Sequence, residues 1–386
     1  MQTFAPDRSL VPLAPHEGAR RSAIRRVSAI TELPSVEADW RHLEGSTAAG
    51  PFAGYDWAAM VATHYASKRR LHVAVASSDG EPTGLAPLAY RRFLGINTLA
   101  LLGAGLADYS MADYQDVLLA PGREPEALRE LVDDLAMAPW DLLWLQELPA
   151  NSPVGKLLPA LARERGWRIV TQPASDVHRV ELPATWEDYV GGLSPSWRKE
   201  VRSKLRRLET EHNAVFTLVE SDEEIDAAMD GLFDLHTQRW NAVGKPGIFD
   251  NERSRRFYRD LAHRMHESGG LYLSTLRTAA GEAIGAGFGF DHCDTRYAYT
   301  YGYKPGPEWE KASLGLMIDC LCIRDAIASG LHRVDLMRNE GEYKKRYGAV
   351  RADNVEMMVF RSRSAYLRVA AYRRLRATAK RLLKRH

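Results

Sequence analysis

Three cysteines in 386 residues (Cys293, Cys320 and Cys322) are too few for a disulfide framework. Cys320 and Cys322 sit two apart inside an apolar helical run and point in different directions. No second Cys or His pair stands nearby, so a zinc site is not expected, and the thiols read as core residues. The twelve histidines show neither H-x-x-x-H nor H-E-x-x-H spacing, and no metal is expected. Long hydrophobic runs are also lacking. The longest uncharged stretch, Phe93 to Ala107, contains Asn97 and three glycines. It falls short of the roughly 20 apolar residues a membrane-spanning helix needs. The N-terminal segment has prolines and scattered charges but no apolar h-region, so residues 1–24 are expected to form a disordered leader rather than a secretory signal. A cytoplasmic location follows as the expectation.

What is present is ordinary globular material, 45% apolar and 26% charged, in a length that suits two domains. The net charge of +2 hides an asymmetry. Residues 361–386 carry eight Arg and two Lys and no acid; the other 360 residues hold 42 basic and 50 acidic ones, a balance of −8. Within the tail, Leu367, Ala371, Leu375, Ala379 and Leu382 form a narrow apolar stripe on a helix expected from about 364. That combination suits peripheral contact with an anionic membrane surface, here the inner face; the alternative is a solvated helix docked on its own domain.

Apolar periodicity predicts a repeated order of elements. In the second half it runs strand 214–219, helices 222–241 and 251–268, strands 271–277, 283–291 and 296–303, helix 312–329, strand 332–337, a short helix near 341–347 and strand 354–361. The first half repeats it: strand 25–30, helices 35–44 and 55–66, strands 71–77, 84–91, 97–102 and 115–119, helix 124–137, strand 141–146, helix 153–165 and strand 168–172. Recurrence over roughly 170 residues argues for internal duplication. Between the halves lies a helix at 195–211, started by Ser194-Pro195 as an N-cap and N1 pair, with Arg198 and Arg202 away from its apolar stripe.

Several segments carry a family likeness. They are the tyrosine-rich strand ending Tyr301-Gly302-Tyr303, the small-residue helix start Ala312-Ser313-Leu314-Gly315, and a Gly330 turn into a strand ending Asp335. The Gly341-Glu342-Tyr343-Lys344 motif with Gly348 beyond it closes the set. Upstream lie Trp197-Arg198 and Arg239, and in the first half Asp113-Tyr114-x-Asp116. Over residues 25–360 the chain resembles the CelD/BcsL acetyltransferases, tandem GNAT proteins related to the FemABX peptidoglycan aminoacyltransferases. The resemblance implies an α/β fold of two tandem GNAT domains on mixed sheets, 25–175 and 176–362, followed by a basic tail helix at 363–386. It also implies two copies of one sheet facing each other across a cleft lined by residues 297–303, 335 and 342–344. The implied activity is N-acyl transfer from acetyl-CoA to an amino sugar or another precursor of a cell-surface polysaccharide, a small-molecule, nucleotide-linked or lipid-linked acceptor. The usual R/Q-x-x-G-x-G/A loop for the coenzyme A pyrophosphate is replaced by Glu310-Lys311-Ala312-Ser313-Leu314-Gly315. An aminoacyl-tRNA donor therefore stands as the alternative, and tRNA is the one nucleic acid in view. A non-catalytic membrane-associated binding protein is the second alternative.

Acyl transfer to an amine needs a base, donors for the developing oxyanion and a proton for the leaving group. Asp335, at the C-terminal end of a strand, is a candidate base or acceptor-orienting carboxylate; equally it is an N-cap for the next helix. Glu342 competes for the role, or is only a favourable first-turn acid. Lys344 suits a phosphate or the acyl carbonyl, or is one solvated cation among Lys345 and Arg346. Tyr301 and Tyr303 supply phenols for the leaving thiolate, or form a packed ladder with Tyr297 and Tyr299 on one strand face. Ser313, Leu314 and Gly315 are expected at the donor's pyrophosphate. Arg198, Arg202 and Arg239 suit an acceptor diphosphate, and Asp113, Asp116 and Tyr343 are expected to touch the acceptor. Gly285, Gly287 and Gly289 share a strand face, where a ligand or another backbone approaches closely.

Overall fold

The computed structural model describes residues 22–103, 112–338 and 341–383. The first half begins with β1 (Ser22–Val27), a 3-10 turn (Ile30–Val36), α1 (Glu37–Ser46) and α2 (Tyr55–Tyr65). Next come β2 (Leu71–Ser78), β3 (Glu81–Phe93), β4 (Ile96–Leu101) and β5 (Leu118–Leu119). Helix α3 (Glu124–Met137), β6 (Leu142–Pro149), α4 (Pro153–Glu164) and β7 (Arg168–Glu181) complete it. Helices α5 (Trp186–Gly192) and α6 (Pro195–Thr210) lead into the second half. There β8 (Val215–Leu218), α7 (Asp222–Ala242), α8 (Glu252–Glu267), β9 (Leu271–Arg277), β10 (Ala283–His292) and β11 (Thr295–Tyr303) follow. Helices α9 (Pro307–Ala312) and α10 (Leu314–Ala328), β12 (Arg333–Arg338), a 3-10 turn (Glu342–Tyr347), β13 (Val350–Phe360) and α11 (Arg363–Leu383) close the chain.

This is a mixed α/β fold on one large sheet, with the repeated element order that periodicity predicts. Local chemistry starts the elements where expected. Pro195 opens α6 at its first turn, although the Ser194 side chain makes no cap bond. Ser152 Oγ accepts from Val154 N to cap α4. The helix expected at 312–329 starts at Leu314, because Ser313 takes a left-handed φ of 53° and separates α10 from α9, which was not expected. Residues 22–24 belong to β1, so of the expected leader only 1–21 lie outside the described residues.

Two separate sheets facing each other are not what forms. The strands make one continuous sheet in the order β1-β2-β3-β4-β6-β13-β7-β12-β11-β10-β9-β8, with β5 on β3. The reason is a reciprocal exchange of last strands. The first half ends in β7, which leaves its own β6 and pairs with β12 of the second half. The second half ends in β13, which pairs with β6 of the first. The two exchanged strands then pair antiparallel along ten residues, from Val350↔Arg179 to Phe360↔Arg168. The expected boundary at 175/176 therefore falls inside β7, which both halves share. One apolar core also spans the halves. Trp57 of α2 lies edge-on to Phe257 of α8 and Phe290 of β10, and all three are buried.

Each half contains one parallel pair that meets over only three residues. In the first, Thr98–Ala100 of β4 pair with Leu142–Trp144 of β6. In the second, Thr295–Tyr297 of β11 pair with Arg333–Asp335 of β12. Beyond Tyr297, β11 runs on to Tyr303 with its β12-facing backbone edge unpaired by any strand among the described residues. The sheet is thus split open on that side.

A bulge bends β11 at the mouth of the split. Its register against β10 shifts between Phe288↔Thr300 and Phe290↔Tyr297, placing one extra residue in β11. The tyrosine ladder expected on one face is divided as a result. Tyr297 and Tyr299 pack with the core under α2, α7 and α8, whereas Tyr301 and Tyr303 pack on the opposite side against α10. Gly289 lies across from the bulge, and a Cβ there would meet Tyr297 O at 2.0 Å. Its neighbour is this chain's own backbone rather than a ligand. Gly302 has an equally specific reason, since a Cβ would reach His236 N at 2.5 Å. Its absence lets α7 lie directly on β11.

Candidate functional site

The split between β11 and β12 opens into a cavity of about 760 Å³, within the range of small-molecule sites. β11 contributes Ala298 to Tyr301, β12 contributes Leu336 to Arg338, and the turn after it Tyr343 and Lys344. From α7 come His236, Arg239 and Trp240, from α10 Asp319, and from the first half Asp113 and the β7 stretch 174–176. The strand exchange therefore carries first-half residues into the wall of a second-half site.

Burial sets the chemistry of the titratable groups here. Asp319 stands alone in the apolar run of α10, is 6% exposed, and accepts from Tyr347 Oη at 3.1 Å. Loss of hydration pushes its carboxyl up to about 6. Asp113 is likewise pushed up to about 6 by burial, against the pull of the Arg338 guanidinium with which it forms an ion pair. His236 is 2% exposed, and burial followed by the charge of Arg239 drives its imidazole down to about 3, so the ring is neutral at physiological pH. Its Nδ1 has no hydrogen-bond partner among the described residues. Tyr301 is pushed well above its ordinary range, first by burial and then by Asp319. Arg239 lies 4.8 Å from the ring centroids of both Tyr301 and Tyr303, with no carboxylate at ion-pair distance among the described residues.

Lys344 is buried and has a partner for each of its three hydrogens. Nζ donates to Leu336 O at 2.9 Å, Met337 O at 3.0 Å and Arg338 O at 3.0 Å. These bonds hold the end of β12, where Met337 takes a left-handed φ of 61°. Burial lowers the Lys344 pKa. Its ammonium shapes the cavity wall, and a phosphate would have to displace one of those carbonyls.

Asp335 is completely buried and lies in a different place. Its carboxylate accepts from Tyr114 Oη at 2.6 Å, Arg179 Nε at 2.9 Å and Met337 N at 2.8 Å. Burial raises its pKa, while the bonds to Tyr114 and Arg179 pull it back down. It lines a second cavity of about 480 Å³ between the halves, together with Asp116, Tyr114 and Arg179. Asp116 accepts from Val117 N at 2.8 Å and Ser152 Oγ at 3.0 Å, and burial pushes it up to about 7.

The structure thus gathers Tyr301, Tyr343, Lys344, Arg239 and Asp113 around one cavity and sends Asp335 and Asp116 to another. The remaining candidates line neither. Glu342 is exposed and pairs with Lys345, because it starts a surface 3-10 turn. Arg198 turns back onto the carbonyls of Gly191 and Leu193, and Arg202 pairs with Glu187 in solvent. Tyr303 stacks on Tyr301 at 6.1 Å and covers Gly315, where a Cβ would meet its ring at 2.7 Å. Ser313 Oγ is held by Lys204 Nζ, and Leu314 is buried in the core. The small residues at the start of α10 are therefore packed from inside.

Periodicity missed His236 and Asp319, yet both left a trace. His236 continues the stripe Ile225, Met229, Leu232 on the buried face of α7. Asp319 is the one acid in the apolar run LGLMIDCLCI.

Residues 195–345 match the family model described as Acetyltransferase (GNAT) domain. No curated protein matches the chain. Among solved structures it is similar to FemX, with 10% identity over 87% of this chain and 96% of that one and a TM-score of 0.60. It is also similar to L-PGS from Bacillus licheniformis, with 13% identity, coverage of 94% and 99%, and a TM-score of 0.53. The C-terminal domain (DUF2156) of a putative lysylphosphatidylglycerol synthetase from Agrobacterium fabrum gives 10% identity, 89% and 96% coverage, and a TM-score of 0.52. At these identities the likeness is one of fold.

Proposed function

We propose that this chain is a GNAT-type N-acyltransferase whose donor lies in the split between β11 and β12 and whose acceptor amine enters the cavity beside it. The observation that carries the reading is the unpaired inner edge of β11 next to a cavity lined by raised carboxyls and a neutral imidazole. An extended donor arm bonds to such an edge as an added strand would. The acceptor must lose a proton before attack, and carboxyls near 6 are ionised at neutral pH yet basic enough to take it. We assign that role to Asp319, with Asp113 and the His236 imidazole as the other acceptors lining the cavity. The nitrogen bonds to the acyl carbon, negative charge develops on its oxygen, and we assign backbone N–H groups of the β11 edge to receive it. The thiolate then leaves and takes a proton, a role we assign to Tyr301, one of three phenols on the cavity wall, which regains its proton from the Asp319 carboxyl.

Acetyl-CoA is the donor we favour, from the family match over 195–345. The CelD/BcsL likeness points the same way. The acceptor we infer is an amino sugar or a similar polar precursor of a surface polymer. Trp240 and Tyr343 offer ring faces, Asp113 and Asp176 offer acceptors for hydroxyls, and Arg239 offers a charge for an anionic group. The test is release of free thiol from acetyl-CoA in the presence of nucleotide-linked amino sugars. Turnover supports the reading; no turnover together with no acetyl-CoA binding by calorimetry defeats it.

One observation favours a second donor, an aminoacyl-tRNA. The start of α10 is packed by Tyr303 and Lys204 instead of forming an open glycine loop, and FemX has the same fold. That donor predicts tRNA binding with steep salt dependence and no affinity for coenzyme A.

A further inference from the structure

Helix α11 is docked by an unexpected face. Ala365 and Val369 are buried against Ile96, Leu142, Met358 and Phe360. Arg168 lies 3.7 Å over the Tyr366 ring, and Arg373 donates to Gln172 Oε1 at 2.6 Å and Glu356 Oε2 at 2.7 Å. These contacts fix which side of the helix faces the sheet. The apolar stripe visible in the sequence is on the other side, where Leu367 is 53% and Leu375 73% exposed. Arg363, Leu367, Ala371 and Arg374 follow at spacings of four and three, so they share this outward face. The β3–β4 hairpin adjoins it. Phe93 packs edge-on to Tyr372, a Cβ on Gly95 would lie 4.0 Å from Arg368 Nη1, and Leu94 is 40% exposed. Neither residues 89–98 nor residues 361–386 contain an acid.

We propose that the outward face of α11, with the β3–β4 turn beside it, is a docking surface for an anionic phospholipid bilayer. Leucines on a fixed helix face, flanked by arginines that form no ion pair among the described residues, match a negative interface with an apolar layer beneath it. Arg363, Arg374 and Arg92 meet headgroups, and Leu367, Leu375 and Leu94 enter the upper acyl region. A nucleic acid would use the cations but gain nothing from the leucines. This inference stands independently of acyl transfer.

The test is sedimentation of the full chain with vesicles of phosphatidylglycerol and phosphatidylcholine, against vesicles of phosphatidylcholine alone. Binding to the mixed vesicles only is expected, falling as salt rises. Arg363→Glu with Arg374→Glu is expected to weaken it by at least about twentyfold, at about fivefold for each arginine lost. Leu367→Ser with Leu375→Ser is expected to weaken it by at least about threefold. All four side chains are exposed, and circular dichroism checks that each variant is folded. No binding to the mixed vesicles overturns the proposal. So does an unchanged affinity of the leucine variant, the result expected if the true partner is an RNA.

Discussion

Asp319 shows what one buried charge does in two directions. Its folded pKa, about 6, lies above the ordinary value of 3.8. Stability from this group is fully present below pH 3.8 and is lost as pH rises through 6. Activity runs the other way, since the base works only when deprotonated. Wild-type kcat/KM is predicted to fall below about pH 6, and Asp319→Asn is predicted to lose about 10²–10⁴-fold in kcat with the acidic limb removed. Chemical denaturation at pH 8 should find that variant at least as stable as wild type, which separates the role from a structural one. Lys344 gives the opposite pattern. Lys344→Met leaves three carbonyls, two of them buried, without their donor, and a loss of about 1–3 kcal/mol in urea unfolding is predicted. A variant of unchanged stability would show that the ammonium does not hold the end of β12. Sequence alone marks Lys344 as important through its motif, but whether its hydrogens are free depends on Met337 being left-handed, which no periodicity reports.

At the scale of elements, the split is made by two local irregularities: a parallel pair that stops after three residues and a bulge that bends the longer strand away. Gly289→Ala places a methyl 2.0 Å from Tyr297 O. We predict a loss of about 1–3 kcal/mol and a matching loss of donor affinity, measured by thermal unfolding and calorimetry. Normal donor binding in this variant would mean that the bulge does not shape the site. Most strand positions were legible to within a few residues because apolar alternation reports burial directly, but β7 runs to Glu181, nine residues past its expected end at 172. The bulge was not, because one extra residue leaves the alternation on either side intact and moves Tyr301 and Tyr303 to the other face. The late start of α10 at Leu314 was not legible either, since nothing in the residue types marks Ser313 as left-handed, and α9 was not predicted.

For the whole molecule, the repeated order of elements was visible in the sequence and the joining of the two halves was not. Two halves of like order fold equally well as separate sheets or as one, and only the partners of β7 and β13 decide. The exchange has a consequence for folding. A fragment of residues 182–386 keeps β13 but lacks β6 and β7, the two strands that flank it. It is predicted to show no cooperative thermal transition by calorimetry, whereas the full chain shows one. A sharp transition in the fragment would mean that the second half is an independent domain. The exchange also carries the β7 stretch 174–176 of the first half into the wall of the cavity beside His236.

Acyl transfer as proposed requires that the donor bind in the split between β11 and β12. The most direct measurement is a crystal structure of the protein soaked with acetyl-CoA. The prediction is a donor arm bonded along Ala298–Tyr303 of β11, with its acyl carbon facing the cavity of Asp319 and His236. Donor density elsewhere, or none at a concentration that saturates calorimetric binding, would contradict it.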